Sequence, residues 1–158
     1  MTNHRRLSVT MKKLFTQILS VCAVLILGAS AAFAAEGWGD NYTKAKAQAK
    51  AENKLLLLDF TGSDWCGWCI KLNKEVFSQQ EFKDYAAKNL VLMEVDFPQT
   101  KPQPANIKQQ NAKLQSQYKI EGYPTIIVLD AQGKQVGQLG YQPGGPKAFI
   151  AELDKLKK

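Results

Sequence analysis

The chain has 158 residues, of which 45% are hydrophobic and 22% are charged, and its formal net charge is +7. These values are ordinary for a globular protein, so they exclude a disordered, collagen-like or coiled-coil chain, and the length suits one domain. The chain carries one histidine and three cysteines.

The first 34 residues have the pattern of a secretory signal peptide. A positive n-region at residues 11–13 precedes a mostly apolar run over residues 14–28, and residues 32–34 (Ala-Phe-Ala) supply the small residues of a cleavage site. We predict cleavage after Ala34, which leaves residues 35–158 as one domain. Removal of four basic residues lowers the net charge from +7 to +3, which argues against nucleic-acid binding.

Other interpretations of this segment remain open. It is also consistent with a retained membrane anchor, and less well with a lipoprotein box at Cys22 or a twin-arginine signal at residues 5–6; each of these exports the domain. Cleavage removes His4 and Cys22, so the mature domain would have no histidine and two cysteines, Cys66 and Cys69. That composition excludes a Ser-His-Asp triad, a Cys-His pair and the usual Cys/His zinc site.

The remainder of the chain alternates between helical and strand-like patterns. After a loose lead-in at residues 36–39, a helix capped by Asp40 or Asn41 is predicted to run to Glu52. Short apolar runs predict buried strands, and turn residues at 130–133 predict a hairpin to a last strand. The predicted strands are residues 55–60, 90–96, 125–129 and 135–139.

Capping and periodic patterns predict four more helices. They cover residue 65 or 66 to about 77, a segment from a capping box at residues 78–81 to residue 88, residues 107–118, and a last helix with Pro146 in its first turn. The proline-containing segment 97–106 is a predicted loop, either a partner contact or, as we favour, a solvated insertion. This order predicts an α/β fold with a mixed sheet of four to five strands and helices on both faces.

The segment Trp65-Cys66-Gly67-Trp68-Cys69 carries the candidate chemistry. At the start of a helix, an exposed Cys66 would face unpaired backbone N–H groups and the positive end of the helix dipole, which favour the nucleophilic thiolate. Cys69, one turn deeper, would be buried and protonated. Half a zinc site, a static structural disulfide and a chance pair are the other interpretations, but zinc needs four ligands and so short a disulfide loop adds little stability.

Together with Asp59-Phe60, Tyr123-Pro124-Thr125 and Gly140, this segment resembles the thioredoxin superfamily, most closely its exported, single-domain bacterial members. The resemblance implies a thioredoxin fold over about residues 55–157. It also implies a thiol–disulfide oxidoreductase with Cys66 as nucleophile and Cys69 as resolving cysteine. Apart from the Cys66–Cys69 disulfide, no cofactor and no metal is expected.

The resemblance implies roles for residues around the cysteine pair. Pro124 would be a cis-proline facing the pair, although a trans-proline at the start of a strand is the simpler alternative. The Tyr123 backbone would pair with an extended substrate, and Gly140 would let the substrate approach. Trp65 would shield the disulfide and line the substrate surface. Gly67 and Trp68 would contact substrate and set the redox potential.

Asp59 is expected to be buried and to accept the proton of Cys69, unless it is merely an aspartate that emerges at the end of a strand. Two departures from the commonest thioredoxin pattern bear on these roles. One extra residue separates Asp59 from Cys66, which makes Asp64 a helix cap in our interpretation. Gly67-Trp68 also replaces Gly-Pro, which leaves open whether the protein reduces, oxidises or isomerises its substrates.

The sequence therefore predicts an oxidoreductase of the periplasm or cell exterior. Its partners would be protein disulfides or dithiols and an unidentified redox protein, with no nucleic acid and with membrane contact only through an uncleaved signal. The alternative is a binding module of the same fold that holds unfolded protein or delivers Cu(I) through its thiols.

Overall fold

The computed structural model describes residues 37–157, so the predicted signal peptide and the cleavage after Ala34 lie outside the described residues. In this part of the chain no helix is long and apolar enough to cross a membrane. The elements in chain order are β1 (Trp38–Gly39), α1 (Tyr42–Glu52), β2 (Leu55–Thr61), α2 (Gly67–Leu72), α3 (Gln80–Asn89), β3 (Leu90–Asp96), α4 (Ala105–Gln117), β4 (Thr125–Leu129), β5 (Gln135–Leu139) and α5 (Gly145–Leu156). A π-helical turn, Asn73–Phe77, continues α2.

The strands form one mixed sheet in the order β1-β3-β2-β4-β5. β3 is parallel to both β1 and β2, whereas β4 is antiparallel to β2 and β5 is antiparallel to β4. The predicted class is confirmed, with five strands in the sheet. Because of these directions, the segments that follow β2, β3 and β5 meet the segment that precedes β4 at a single edge of the sheet, which is where the candidate site lies.

Two apolar cores, one on each face, hold the sheet between the helices. Alternate residues of β2 enter different cores, as the period of two in a strand requires. Leu58 and Phe60 pack with Ala49 of α1 and Leu114 of α4, whereas Leu57 packs under α2, α3 and α5. The residues on that second side include Leu72, Val76, Phe82 and Phe149. Helices thus cover both faces, as predicted.

The apolar runs predicted the strands closely, whereas some short features were predicted wrongly. β3, β4 and β5 have their predicted bounds, and β2 is one residue longer than predicted. Residues 38–39, predicted as a loose lead-in, form the edge strand β1 because they pair with Leu92 and Met93 of β3. A strand of two residues shows no periodicity in the sequence.

The capping box predicted at residues 78–81 is absent from the described structure. Ser78 instead ends the π-helical turn, where its N–H donates to the Asn73 carbonyl oxygen. α3 therefore begins one residue later, after Gln79, which makes no side-chain capping bond. The cap predicted for α1 is confirmed, since Asn41 Oδ1 accepts from the Lys44 N–H at 3.0 Å.

Candidate active site

The two cysteines lie where β2 passes into α2 and are joined by a disulfide bond. Cys66 is the N-cap of α2, and its Sγ accepts a hydrogen bond from the Cys69 N–H at 3.2 Å. The first sulfur therefore faces an end-of-helix N–H group, as predicted. The predicted exposure of Cys66 was wrong for this disulfide form: the residue is 7% exposed and Cys69 is 4% exposed, because the bond to Cys69 turns both sulfurs inward.

Trp65 lies flat against the turn that precedes the cysteines. Its indole N–H donates to the Phe97 carbonyl oxygen at 2.8 Å, and its ring meets the Tyr123 ring edge-on at 5.9 Å between centroids. This position depends on Gly62, since a Cβ atom there would lie 2.5 Å from the Trp65 ring. The sequence analysis missed Gly62 because its role exists only once the indole folds back over the turn.

Trp68 projects from the first turn of α2 and is 58% exposed. Its ring packs on Tyr141 at 5.1 Å, and Lys71 Nζ lies about 5 Å from both ring centroids. The Tyr141 hydroxyl donates to Glu75 Oε2 at 2.7 Å, so the π-helical turn helps to hold the pair of rings. No local pattern could have indicated Tyr141, which meets Trp68 only through the fold.

The exposed large hydrophobic residues of the described chain are Trp65, Trp68 and Ile70. All three lie within six consecutive residues that include both cysteines. Exposed apolar clusters of this kind mark contact surfaces, whereas single exposed hydrophobic residues do not. The disulfide therefore sits in the one concentration of exposed large hydrophobic side chains found among residues 37–157.

The segment before β4 brings three other predicted residues to this edge of the sheet. The Tyr123–Pro124 peptide bond is cis, which confirms that expectation. The Tyr123 hydroxyl accepts from Gln115 Nε2 at 2.8 Å. Gly140, after β5, lies beside this segment, because a Cβ atom there would be 3.8 Å from the Pro124 carbonyl oxygen. A Cβ atom at Gly67 would meet nothing within 4 Å.

Asp59 is buried in β2, and its Oδ1 atom is buried with no hydrogen-bond partner. Burial, and after it the charges of Glu94 and Asp96, raise the pKa of Asp59 from 3.8 to about 8. Strand alternation places Asp59 on the same sheet face as Leu57, beneath α2. The buried face of α2 carries Cys69. The structure thus puts an acid that is protonated near neutral pH on the side of the sheet that Cys69 faces.

Asp64 does not cap α2, contrary to our expectation, because Cys66 occupies the N-cap position. Asp64 instead accepts hydrogen bonds from the backbone N–H groups of Gln99, Thr100 and Lys101, at 2.7–3.1 Å, and from the Thr100 hydroxyl. These bonds, led by that of the Thr100 hydroxyl, hold the pKa of Asp64 well below its usual range.

The segment that follows β3 is consequently fastened to the active-site turn. Ser63 adds to this attachment, since its N–H and its hydroxyl donate to the two carboxylate oxygens of Asp96 at 2.9 and 2.6 Å. The favoured interpretation of residues 97–106 as a solvated insertion was therefore wrong for residues 97–101, which form one side of the candidate site.

Comparisons with known proteins agree with this geometry. Residues 42–157 match the family model described as a thioredoxin-like domain. The chain is 40% identical over 119 residues to the disulfide bond reductase DsbH of Chlamydia pneumoniae, covering 75% of this chain and 72% of that protein. It is 36% identical over 103 residues to the thioredoxin-related protein DsbJ of the same organism, covering 65% of this chain but 30% of DsbJ.

Among solved structures, the chain is similar to the DsbH oxidoreductase, with a TM-score of 0.72 and 40% identity over 75% of this chain and 82% of that one. This similarity confirms the thioredoxin fold.

Proposed function

The chain belongs to the family of thioredoxin-like domains and is a thiol–disulfide oxidoreductase, and from this premise we propose that Cys66 and Cys69 carry out disulfide exchange with protein substrates. The observation that carries the proposal is the Cys66–Cys69 disulfide at the start of α2. Its setting among exposed Trp65, Trp68 and Ile70 supports a protein as the partner. No other cofactor is needed, because the cysteine pair itself holds the two electrons.

The proposed reaction starts from the reduced pair. The Cys66 thiolate attacks one sulfur of a substrate disulfide, which forms a mixed disulfide and releases the first substrate thiolate. Cys69 then loses its proton and attacks Cys66 Sγ, so that the Cys66–Cys69 disulfide forms and the second substrate sulfur leaves. Two electrons pass from the cysteine pair to the substrate. The Cys69 N–H bond to Cys66 Sγ favours Cys66 as the thiolate.

We assign the proton transfer to Asp59. As a carboxylate it would accept the Cys69 proton, and its position beneath α2 supports this role. Its raised pKa, about 8, suits a group that exchanges a proton with a thiol near neutral pH. A substrate chain would run past Tyr123, Pro124 and Gly140.

The direction of exchange is proposed to be reductive. The support is the name of the relative with 40% identity, a disulfide bond reductase. A reducing pair should have a potential nearer the value of about −270 mV for thioredoxin than that of about −120 mV for the oxidant DsbA. Equilibration with glutathione or dithiothreitol buffers measures this, and a value near that of DsbA would reverse the assigned direction.

Export to the periplasm or cell exterior is the proposed location, supported by the signal-like pattern of residues 1–34. Disulfide-bonded proteins persist in such compartments and would be the substrates, and a second dithiol protein must return electrons to Cys66 and Cys69. Expression of the full chain, followed by fractionation and N-terminal sequencing, tests this location. A mature chain that begins at Ala35 is expected, and retention of the whole segment would contradict cleavage.

Reduction of insulin by dithiothreitol tests the proposed exchange. The wild-type protein should accelerate precipitation of the insulin B chain, and Cys66→Ser should not. The variant Cys69→Ser should accumulate a mixed disulfide between Cys66 and substrate, which gel electrophoresis without reductant detects. Equal rates for wild type and Cys66→Ser would reject exchange through Cys66 and would favour a binding module.

A further inference from the structure

Asp59 is buried, and a group that takes up a proton there must also release it. Its Oδ1 atom has no hydrogen-bond partner, so nothing on that oxygen stabilises the ionised form. The inference below rests on the proposed role of Asp59 and concerns the residues that control its proton.

The groups that face Asp59 come from several elements. In the parallel pairing of β2 with β3, Asp59 lies opposite Glu94, and on β4 it lies opposite the apolar Ile126. Asp96, two residues along β3, is on the same face as Glu94. α2 presents Cys69, which is held in the disulfide with Cys66.

Two further charges act on Glu94. Lys101, in the segment after β3, lowers the pKa of Glu94, and Asp40, between β1 and α1, raises it. Desolvation and then Asp96 are the stronger influences, so that the pKa of Glu94 is raised on balance. Acidic groups therefore outnumber basic ones around the Asp59 carboxyl.

The two acidic residues of β3 differ in their freedom. Both carboxylate oxygens of Asp96 accept hydrogen bonds from Ser63, which fixes Asp96 as an ionised acceptor. Glu94 is exposed, and its carboxylate makes no hydrogen bond or ion pair with another residue of the range 37–157. Glu94 is thus the neighbouring carboxylate that can both act on Asp59 and exchange protons with water.

We propose that Glu94 is a positioning residue for Asp59: its negative charge, directly across β2–β3 on the same sheet face, keeps the Asp59 proton in place near neutral pH and so sets the pH at which Asp59 can receive the proton of Cys69. Two nearby carboxylates resist ionising together, which is the physical basis of the effect. Glu94 touches neither sulfur and acts through Asp59.

In the balanced step, Cys69 Sγ gives its proton to the Asp59 carboxylate and attacks Cys66 Sγ. The Cys66–Cys69 bond forms, the bond between Cys66 and substrate breaks, and the substrate sulfur leaves with the bonding electrons. Asp59 then releases the proton to solvent past Glu94. The cysteine pair is oxidised by two electrons and the substrate disulfide is reduced by two.

The test follows the Asp59 carboxyl carbon by NMR against pH in the oxidised protein, with the signal assigned by its loss in Asp59→Asn. In Glu94→Gln we expect the Asp59 midpoint to shift downward, and in Glu94→Asp, which keeps the charge, we expect most of the wild-type midpoint to return. Glu52→Gln is the matched control, because it removes the same charge at the other end of β2. It should leave the midpoint unchanged.

Three results would overturn the proposal: an unmoved midpoint in Glu94→Gln, an equal shift in Glu52→Gln, or an ordinary aspartate midpoint in the wild type. The pH profile of the Cys69-dependent release of substrate is a second readout, and Glu94→Gln should move it in the same direction as the NMR midpoint. In the Asp59→Asn background the Glu94 substitution should no longer move it.

The NMR titration needs no turnover. Loss of the Cys66-dependent insulin reaction would therefore reject the proposed function while leaving this measurement decisive for Glu94.

Discussion

Trp65 owes its place beside the disulfide to the absence of a side chain at one neighbouring position. The indole covers Gly62, and a Cβ atom there would lie 2.5–2.8 Å from three ring atoms. Since Trp65 is 42% exposed, the ring has room to swing away. A side chain at residue 62 would thus move Trp65 off the Phe97 carbonyl oxygen without disturbing the core.

We expect Gly62→Ala to displace the Trp65 indole and to destabilise the protein by about 1 kcal/mol, the low end of the usual cost of overpacking. The Trp65 Hε1 resonance should shift toward that of a free indole N–H, because the bond to Phe97 is lost. The control is Gly67→Ala, where a Cβ atom meets nothing within 4 Å. An unchanged Hε1 resonance in Gly62→Ala would contradict the packing described.

Asp59 makes a second residue-scale prediction, on stability. Its pKa is about 8 in the folded protein against 3.8 ordinarily, so the native state binds a proton that the unfolded chain has released. Stability should therefore fall as pH rises between these two values and level off above 8. From pH 5 to pH 8 we expect the oxidised protein to lose about 3 kcal/mol of unfolding free energy through this group.

Urea unfolding at a series of pH values measures this loss, with the disulfide kept intact. Asp59→Asn should show a much flatter dependence, because the amide does not titrate. If wild type and Asp59→Asn lose stability in parallel over this range, Asp59 is ionised in the native state at lower pH than its burial implies.

Among the elements, strands could be predicted from the sequence far better than contacts between elements. Runs such as Leu90–Asp96 are apolar because both faces of a central strand are buried, so local composition shows them. The edge strand Trp38–Gly39 has no such signature. Contacts that shape the site join residues far apart, such as Trp65 with Phe97 and Trp68 with Tyr141, and exist only after the strands have paired.

The candidate site divides in the same way. Cys66, Cys69 and Pro124 could be located because spacing and turn chemistry are local signals. Glu94 could not, since its relation to Asp59 depends on the register of β2 against β3. Asp64 was placed at a helix end by local logic, but the backbone of residues 99–101 offers it more N–H donors than the helix does.

Asp64 leads to the element-scale prediction, which concerns the segment after β3. Asp64→Ala should free residues 99–101 and accelerate hydrogen exchange of the Gln99, Thr100 and Lys101 amides by about tenfold or more, because these amides lose their acceptor. Two-dimensional NMR after transfer to D₂O measures this exchange. The control Asp84→Ala removes an exposed carboxylate that accepts from Gln80 on α3 and should leave the three amides unaffected. Unchanged exchange in Asp64→Ala would show that other contacts hold the segment.

At the scale of the whole described domain, the sheet brings four separate chain segments to one edge. The turn after β2 carries the cysteines, the segment after β3 carries Phe97, the segment before β4 carries Pro124, and the residue after β5 is Gly140. The mixed strand directions make this possible, since an all-parallel sheet would send the start of β4 to the opposite edge. A substrate strand laid along this edge would pass Gly140 closely.

Two glycines at opposite sides of the sheet allow that approach to be tested. A Cβ atom at Gly140 would lie 3.8 Å from the Pro124 carbonyl oxygen, and one at Gly39 in β1 would lie 3.8 Å from the Leu92 carbonyl oxygen. Both are ordinary contacts, so Gly140→Ala and Gly39→Ala should each unfold within about 0.5 kcal/mol of wild type, as unstrained surface substitutions usually do.

Substrate binding should separate these two variants. In insulin reduction we expect Gly140→Ala to raise KM several-fold, because its methyl group occupies space that the substrate chain needs, and Gly39→Ala to keep the wild-type KM. The rate of the Cys69 resolving step should be the same in both, since neither glycine touches the sulfurs. Equal KM values for the two variants would mean that the substrate does not run along this edge of the sheet.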